Sequence, residues 1–81
     1  MTLDQAADYL AVVEEPDVQK DLALTRLIVD LRSRPELARS AGNFQAAFFT
    51  FQRALLEERE DAEDHRFHAM TCLAELRRAV G

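Results

Sequence analysis

Eighty-one residues suffice for one domain and not for two, and 48% hydrophobic content is enough for a core without covalent staples. A single cysteine, Cys72, excludes an internal disulfide and any multi-cysteine zinc module. Fifteen acidic against ten basic residues give a net charge of −5, which disfavours non-specific attraction to nucleic acid or anionic lipid.

The opening, MTLDQAADYL, has neither the positive region nor the apolar run of a signal peptide. No apolar segment approaches the length of about 18 residues that a membrane span needs, so a cytoplasmic protein with no membrane partner is expected. Thr2 and Gln5 have the spacing of a capping box, and Asp4 suits the positive end of a helix dipole. Leu3, Ala6, Ala7, Leu10 and Val13 then recur at helical spacing, which predicts a first helix over about residues 3–14. Pro16 pushes Glu15 out of the helical region and ends it. Tyr9 falls on the opposite side from this stripe and reads as exposed, with Val12 and Val13 beside it as a small adhesive edge.

Pro16 and Asp17 are good first-turn residues for a second helix, expected over about residues 16–32. It carries two apolar stripes, Val18, Leu22 and Val29 on one side and Leu24, Leu27, Ile28 and Leu31 on the other. Either it is sandwiched between the first and third helices, or one stripe meets another chain; the sandwich is the simpler expectation. Ser33-Arg34-Pro35-Glu36 repeats the capping-box spacing with proline in the first turn. It predicts a one-turn helix through Leu37 to Ser40, closed by Gly42, with Asn43 capping the next helix.

That next helix holds four of the five phenylalanines. Phe44, Phe48, Phe51 and Leu55 form one stripe, flanked by Ala47 and Ala54, which allow close approach of a neighbour. Phe49 and Leu56 repeat a seven-residue spacing on a second face. An element apolar on two sides belongs between partners, so this is read as the central core helix.

Residues 57–66, EEREDAEDHR, contain Ala62 as their only apolar side chain. They read either as a solvated section of one long rod or as a turn near Glu60 and Asp61, with Asp61 capping a fourth helix. The turn is preferred, because a chain this short gains little core from a rod. The fourth helix is expected over about residues 62–79, with Ala62, Ala69, Leu73, Leu76 and Val80 inward and Arg77 and Arg78 at its negative end.

Gly42-Asn43-Phe44, Ala47-Phe48, Phe51 and Ala54-Leu55 together resemble the second helix of a tetratricopeptide repeat, in which small and large residues alternate where two helices interlock. The resemblance spans about 14 residues. It implies a helix-hairpin module that binds a peptide or partner helix. The chain departs from the family upstream, where Pro35 interrupts the place of the preceding helix. Thr2-Leu3, Ala6-Ala7, Tyr9-Leu10 and Val12 are similar to the first helix of small excisionase-like DNA-binding domains. There a basic recognition helix would follow; here Glu14, Glu15 and Asp17 follow instead.

His65, His68 and Cys72 fall at i, i+3 and i+7, four residues after Asp61, and their chemistry suits zinc or another transition metal. One helix comfortably presents two such ligands to an ion, so solvated histidines beside a packed thiol are the expectation, and no metal or other cofactor is expected. No serine, histidine and acid constellation, glycine-rich phosphate loop or HExxH motif is present. Cys72 is four residues from His68, which would place an activating base within reach, but its position near the inner stripe favours packing.

These features predict an all-α fold, a compact bundle of four main helices with a one-turn helix between the second and third, forming a single domain. The expected function is a small acidic, non-enzymatic protein–protein interaction module of adaptor, chaperone or inhibitor/antitoxin type. Phe49, Leu56, Phe67 and Met70 are the expected binding residues, for a protein partner or for a second copy in a homodimer. The alternative is a small helical DNA-binding regulator of excisionase-like type, which would require a continuous basic face from Arg26, Arg32, Arg34 and Arg39.

Overall fold

A computed structural model describes residues 1–81 as four α-helices with no strand: α1 (Leu3–Val12), α2 (Val18–Arg32), α3 (Ala38–Leu56) and α4 (Ala62–Val80). Successive helices run antiparallel within an envelope of 35 × 23 × 17 Å. α3 packs most extensively on α4 and also against α2, while α1 lies along α4.

The capping box at the start of α1 forms as the sequence predicts. Thr2 Oγ1 accepts from the Gln5 amide at 3.1 Å, and the Thr2 amide donates to Gln5 Oε1 at 2.9 Å. α1 stops at Val12, two residues short of the expected end, because Val13 is already extended ahead of Pro16. Its final carbonyls find a partner far along the chain. Arg66 of α4, only 7% exposed, donates to the Leu10 carbonyl at 2.5 Å and the Val13 carbonyl at 2.7 Å. Its remaining N–H groups hold Glu63 through two bonds of 3.0 and 3.1 Å, and its guanidinium lies 4.9 Å from the Phe51 ring centroid. A cation at the C-terminal end of α1 also opposes the helix dipole. At the other end of the same helix pair, Arg77 is bonded to Asp4.

Tyr9 is buried, contrary to its expected exposure. α2 covers that flank of α1: the phenol donates to Asp21 Oδ1 at 2.5 Å, and Lys20 Nζ sits 5.7 Å from the ring centroid. Burial, then the neighbouring Asp21 carboxylate, pushes the phenol far above its usual pKa.

α2 begins at Val18, with Asp17 accepting from the Lys20 amide at 3.1 Å. Leu24, Ile28 and Leu31 are buried and Leu27 packs against the core, whereas Val18, Leu22 and Val29 stand exposed. The expected sandwich is therefore not formed. α1 and α3 approach α2 on its two core-side flanks, and its outer stripe meets nothing.

Between α2 and α3 there is no separate one-turn helix; residues 33–37 form turns. Ser33 does not cap forward but donates its hydroxyl back to the Asp30 carbonyl at 2.6 Å. α3 starts five residues earlier than Asn43, and Gly42 lies inside it instead of closing a helix before it. Extending α3 backwards buries Leu37 and Ala41, and that gain exceeds the modest cost of an interior glycine, about 1 kcal/mol.

α3 ends in a turn, as the sequence predicts, and not in a continuous rod. The Arg59 amide donates to the Ala54 carbonyl at 2.9 Å and the Glu58 amide to the Leu55 carbonyl at 3.1 Å. This paired closure needs a left-handed residue, supplied by Glu58 at φ 53° where glycine is usual. Asp61 stands before α4 without a side-chain cap bond. The core is centred on α3: Phe44, Phe48 and Phe51 are fully buried, with the first two rings stacked at 6.0 Å. Ala47 and Ala54 of α3 are buried, as are Ala69, Leu73 and Leu76 of α4, and Ala47 joins these α4 residues in the core.

Candidate functional site

The apolar side chains that the core leaves over are arranged by helical phase. On α2, Val18, Leu22 and Val29 lie about 120–160° around the axis from the buried Leu24. On α3, Phe49 and Leu56 lie at a similar angle from Phe44. The bond from Arg32 to Gln45 Oε1, 2.5 Å, fixes the antiparallel register of the two helices. At one rise per residue it sets Val29 within about one residue of the level of Phe49, and Leu22 within about one residue of that of Leu56. α1 occupies the other flank of α2, with Met1 beside Ala23 and Leu27, and α4 occupies the other flank of α3. Both exposed stripes therefore point out of the same side of the α2–α3 layer. The five side chains are between 46% and 78% exposed. Half-buried Thr25, Gln45 and Gln52 fill the seam between the two ridges.

Phe67 and Met70 belong elsewhere. Both lie on the flank of α4 nearer to α1, the side from which Arg66 reaches Leu10 and Val13. Phe67 is 75% exposed on the outer side of the α1–α4 layer, and Met70 is half-buried against the core. The structure keeps Phe49 and Leu56 together and separates them from Phe67 and Met70 by the width of the bundle. In their place it adds the outer stripe of α2. The sequence shows both stripes and a connection of a few residues that makes α2 and α3 a hairpin; the flanks taken by α1 and α4 then put the stripes on one face.

His65, His68 and Cys72 line an open groove of about 550 Å3 between α3 and α4, together with Asn43, Ala46, Ala47, Thr50, Thr71 and Glu75. They do not converge. His65 Nε2 is 3.1 Å from Asp61 Oδ2, whereas His68 Nε2 lies 3.9 Å from Cys72 Sγ. No three side chains of ligand type surround a common point. Cys72 is buried, and burial, with Glu75 adding to it, raises its thiol pKa, a shift away from the thiolate that a nucleophile or soft-metal ligand requires. Asp61 is held below the usual carboxylate range, mainly by its two bonds from Arg59 at 2.9 and 3.0 Å. The carboxylate is thereby committed to its own turn.

Arg26, Arg32, Arg34 and Arg39 are all exposed, but Asp30 and Glu36 are exposed among them, and Arg32 is engaged by Gln45. No helix is long and apolar enough to cross a membrane. Comparison with family models, curated proteins and solved structures returns no match.

Proposed function

We propose that the chain is a small acidic, non-enzymatic protein–protein interaction module, of adaptor, chaperone or inhibitor type, that buries apolar surface of a protein partner against its α2–α3 face. The supporting observation is the segregation of apolar side chains. Phe44, Phe48 and Phe51 fill the interior, while Val18, Leu22, Val29, Phe49 and Leu56 stand outside on one layer. Five such side chains gathered on one face form a patch of the kind that marks a docking surface, where singly scattered apolar residues would mean nothing. Its centre is uncharged and its margins carry Arg26, Asp30, Arg53 and Glu57, the apolar middle and polar rim of a docking surface.

Site-specific photo-crosslinking in producing cells tests the reading. A photoreactive residue at position 22 is expected to give a discrete protein adduct, and the same residue at position 67, more exposed and on the opposite layer, to give none. Equal labelling from both positions, or no adduct from position 22, would reject it.

A further inference from the structure

The α2–α3 face has a charge polarity that selects its partner. At the end where α2 begins and α3 finishes, the exposed acids near Val18 and Leu56 are Glu15, Glu57, Glu58 and Glu60, with Lys20 and Arg59 exposed among them and Arg59 3.9 Å from Glu57. At the opposite end, around the α2–α3 turn, Arg32, Arg34 and Arg39 are exposed with Glu36 among them. The long margin of α2 between them is balanced, Arg26 against Asp30, and Arg53 lies 3.8 Å from Glu57 at the acidic end.

We infer that this face docks on the same face of a second copy, related by a two-fold axis running across the helices. The inference rests on the reading of the face as a docking surface and names its occupant. Turning one copy end over end lays apolar ridge on apolar ridge and sets Arg34 and Arg39 of each copy against Glu57 and Glu58 of the other. An axis along the helices would stack acid on acid and arginine on arginine, so the charges choose between the two geometries.

Shape supports the same occupant. None of the four main cavities is lined by Val18, Leu22, Val29, Phe49 or Leu56. The surface therefore lacks the slot that a single inserted helix or aromatic anchor uses, and suits a second flat helical layer. The five side chains are each about half or more exposed and together form the largest set of exposed apolar side chains on one face of the fold. A stable interface takes roughly 800 Å2 per partner, so their polar margins must join them in it. The net charge of −5 does not forbid pairing. Screening over about 8 Å at physiological ionic strength leaves the facing local charges in control.

Sedimentation or light scattering between about 1 and 100 µM, spanning the usual affinities of such interfaces, decides the matter. The wild type is expected at twice its 9.2 kDa chain mass. Leu22→Lys with Phe49→Lys, both at exposed positions, is expected to be monomeric with unchanged helicity. Arg34→Glu with Arg39→Glu should weaken the dimer at least tenfold, and Glu57→Lys with Glu58→Lys should do the same. These swaps place acids near the start of α3 and bases near its end, where its dipole favours them, so folding is preserved. Combining all four reverses both ends together and should restore the wild-type affinity. A monomeric wild type, a dimer indifferent to the double lysine change, or one indifferent to the separate swaps overturns the inference. If the wild type is monomeric while position 22 still cross-links a different protein, the docking reading stands and the second copy is rejected.

Discussion

Arg66 shows how one side chain can hold two elements together. A guanidinium has five N–H donors in a fixed plane, and here they are divided between the carbonyls of Leu10 in α1 and Val13 just beyond it, and the Glu63 carboxylate. Arg66→Ala should destabilise the protein by about 2–4 kcal/mol, because it strands two buried carbonyls and removes the stack on Phe51. Arg66→Lys should recover less than half, since a point charge does not span both carbonyls. Denaturant midpoints measure the loss, and hydrogen exchange should show α1 losing protection before α3. Tyr9 gives a second handle, being the only tyrosine in a chain without tryptophan, so ultraviolet titration reports it alone. Its phenol pKa is raised in the folded state, so its stabilising contribution is complete below the unfolded value of about 10 and is lost as pH rises past it. Native protein should therefore titrate later than denatured protein. Tyr9→Phe should cost about 1 kcal/mol at neutral pH and flatten the alkaline fall in stability.

For the elements, the turn between α2 and α3 offers the sharpest test. A glycine that closes a helix needs left-handed backbone, and alanine there is harmful; a glycine inside a helix is improved by alanine. Gly42 has no positive φ, and a Cβ there would meet only Arg32 Nε at 3.9 Å, an ordinary contact. Gly42→Ala is expected to stabilise by about 0.5–1 kcal/mol, read as a higher melting temperature; a loss of stability would return Gly42 to the role of a cap. The helices themselves were legible from the chain because periodicity and caps are local. Thr2 with Gln5, the phenylalanine stripe of α3 and the turn before Ala62 all follow from neighbours within a few residues. Gly42 misleads because the local stop signal is overruled by the burial of Leu37 and Ala41, which only the folded arrangement supplies. Arg66 was hidden for the same reason. Set in a run of charges it looks solvated, and the carbonyls it serves lie more than fifty residues away.

At the scale of the whole molecule, the stripes on α2 and α3 were visible in the sequence, but which of them would share a side was not. That depends on which flank each neighbour occupies, set by long-range contacts such as Tyr9 with Asp21 and Arg32 with Gln45. The closure of α1 onto α4 has a consequence for synthesis. Its bonds join Leu10 to Arg66 and Asp4 to Arg77, almost the full length of the chain. During translation α1 is made well before the α4 residues that complete its seat. Until Arg66 and Arg77 leave the ribosome, α1 has no partner for its final carbonyls, and Phe51 lacks the guanidinium that covers its ring. Until α4 is made, α1 is therefore held to the rest of the fold mainly through Tyr9 and Asp21 of α2, and its seating is completed only when α4 packs.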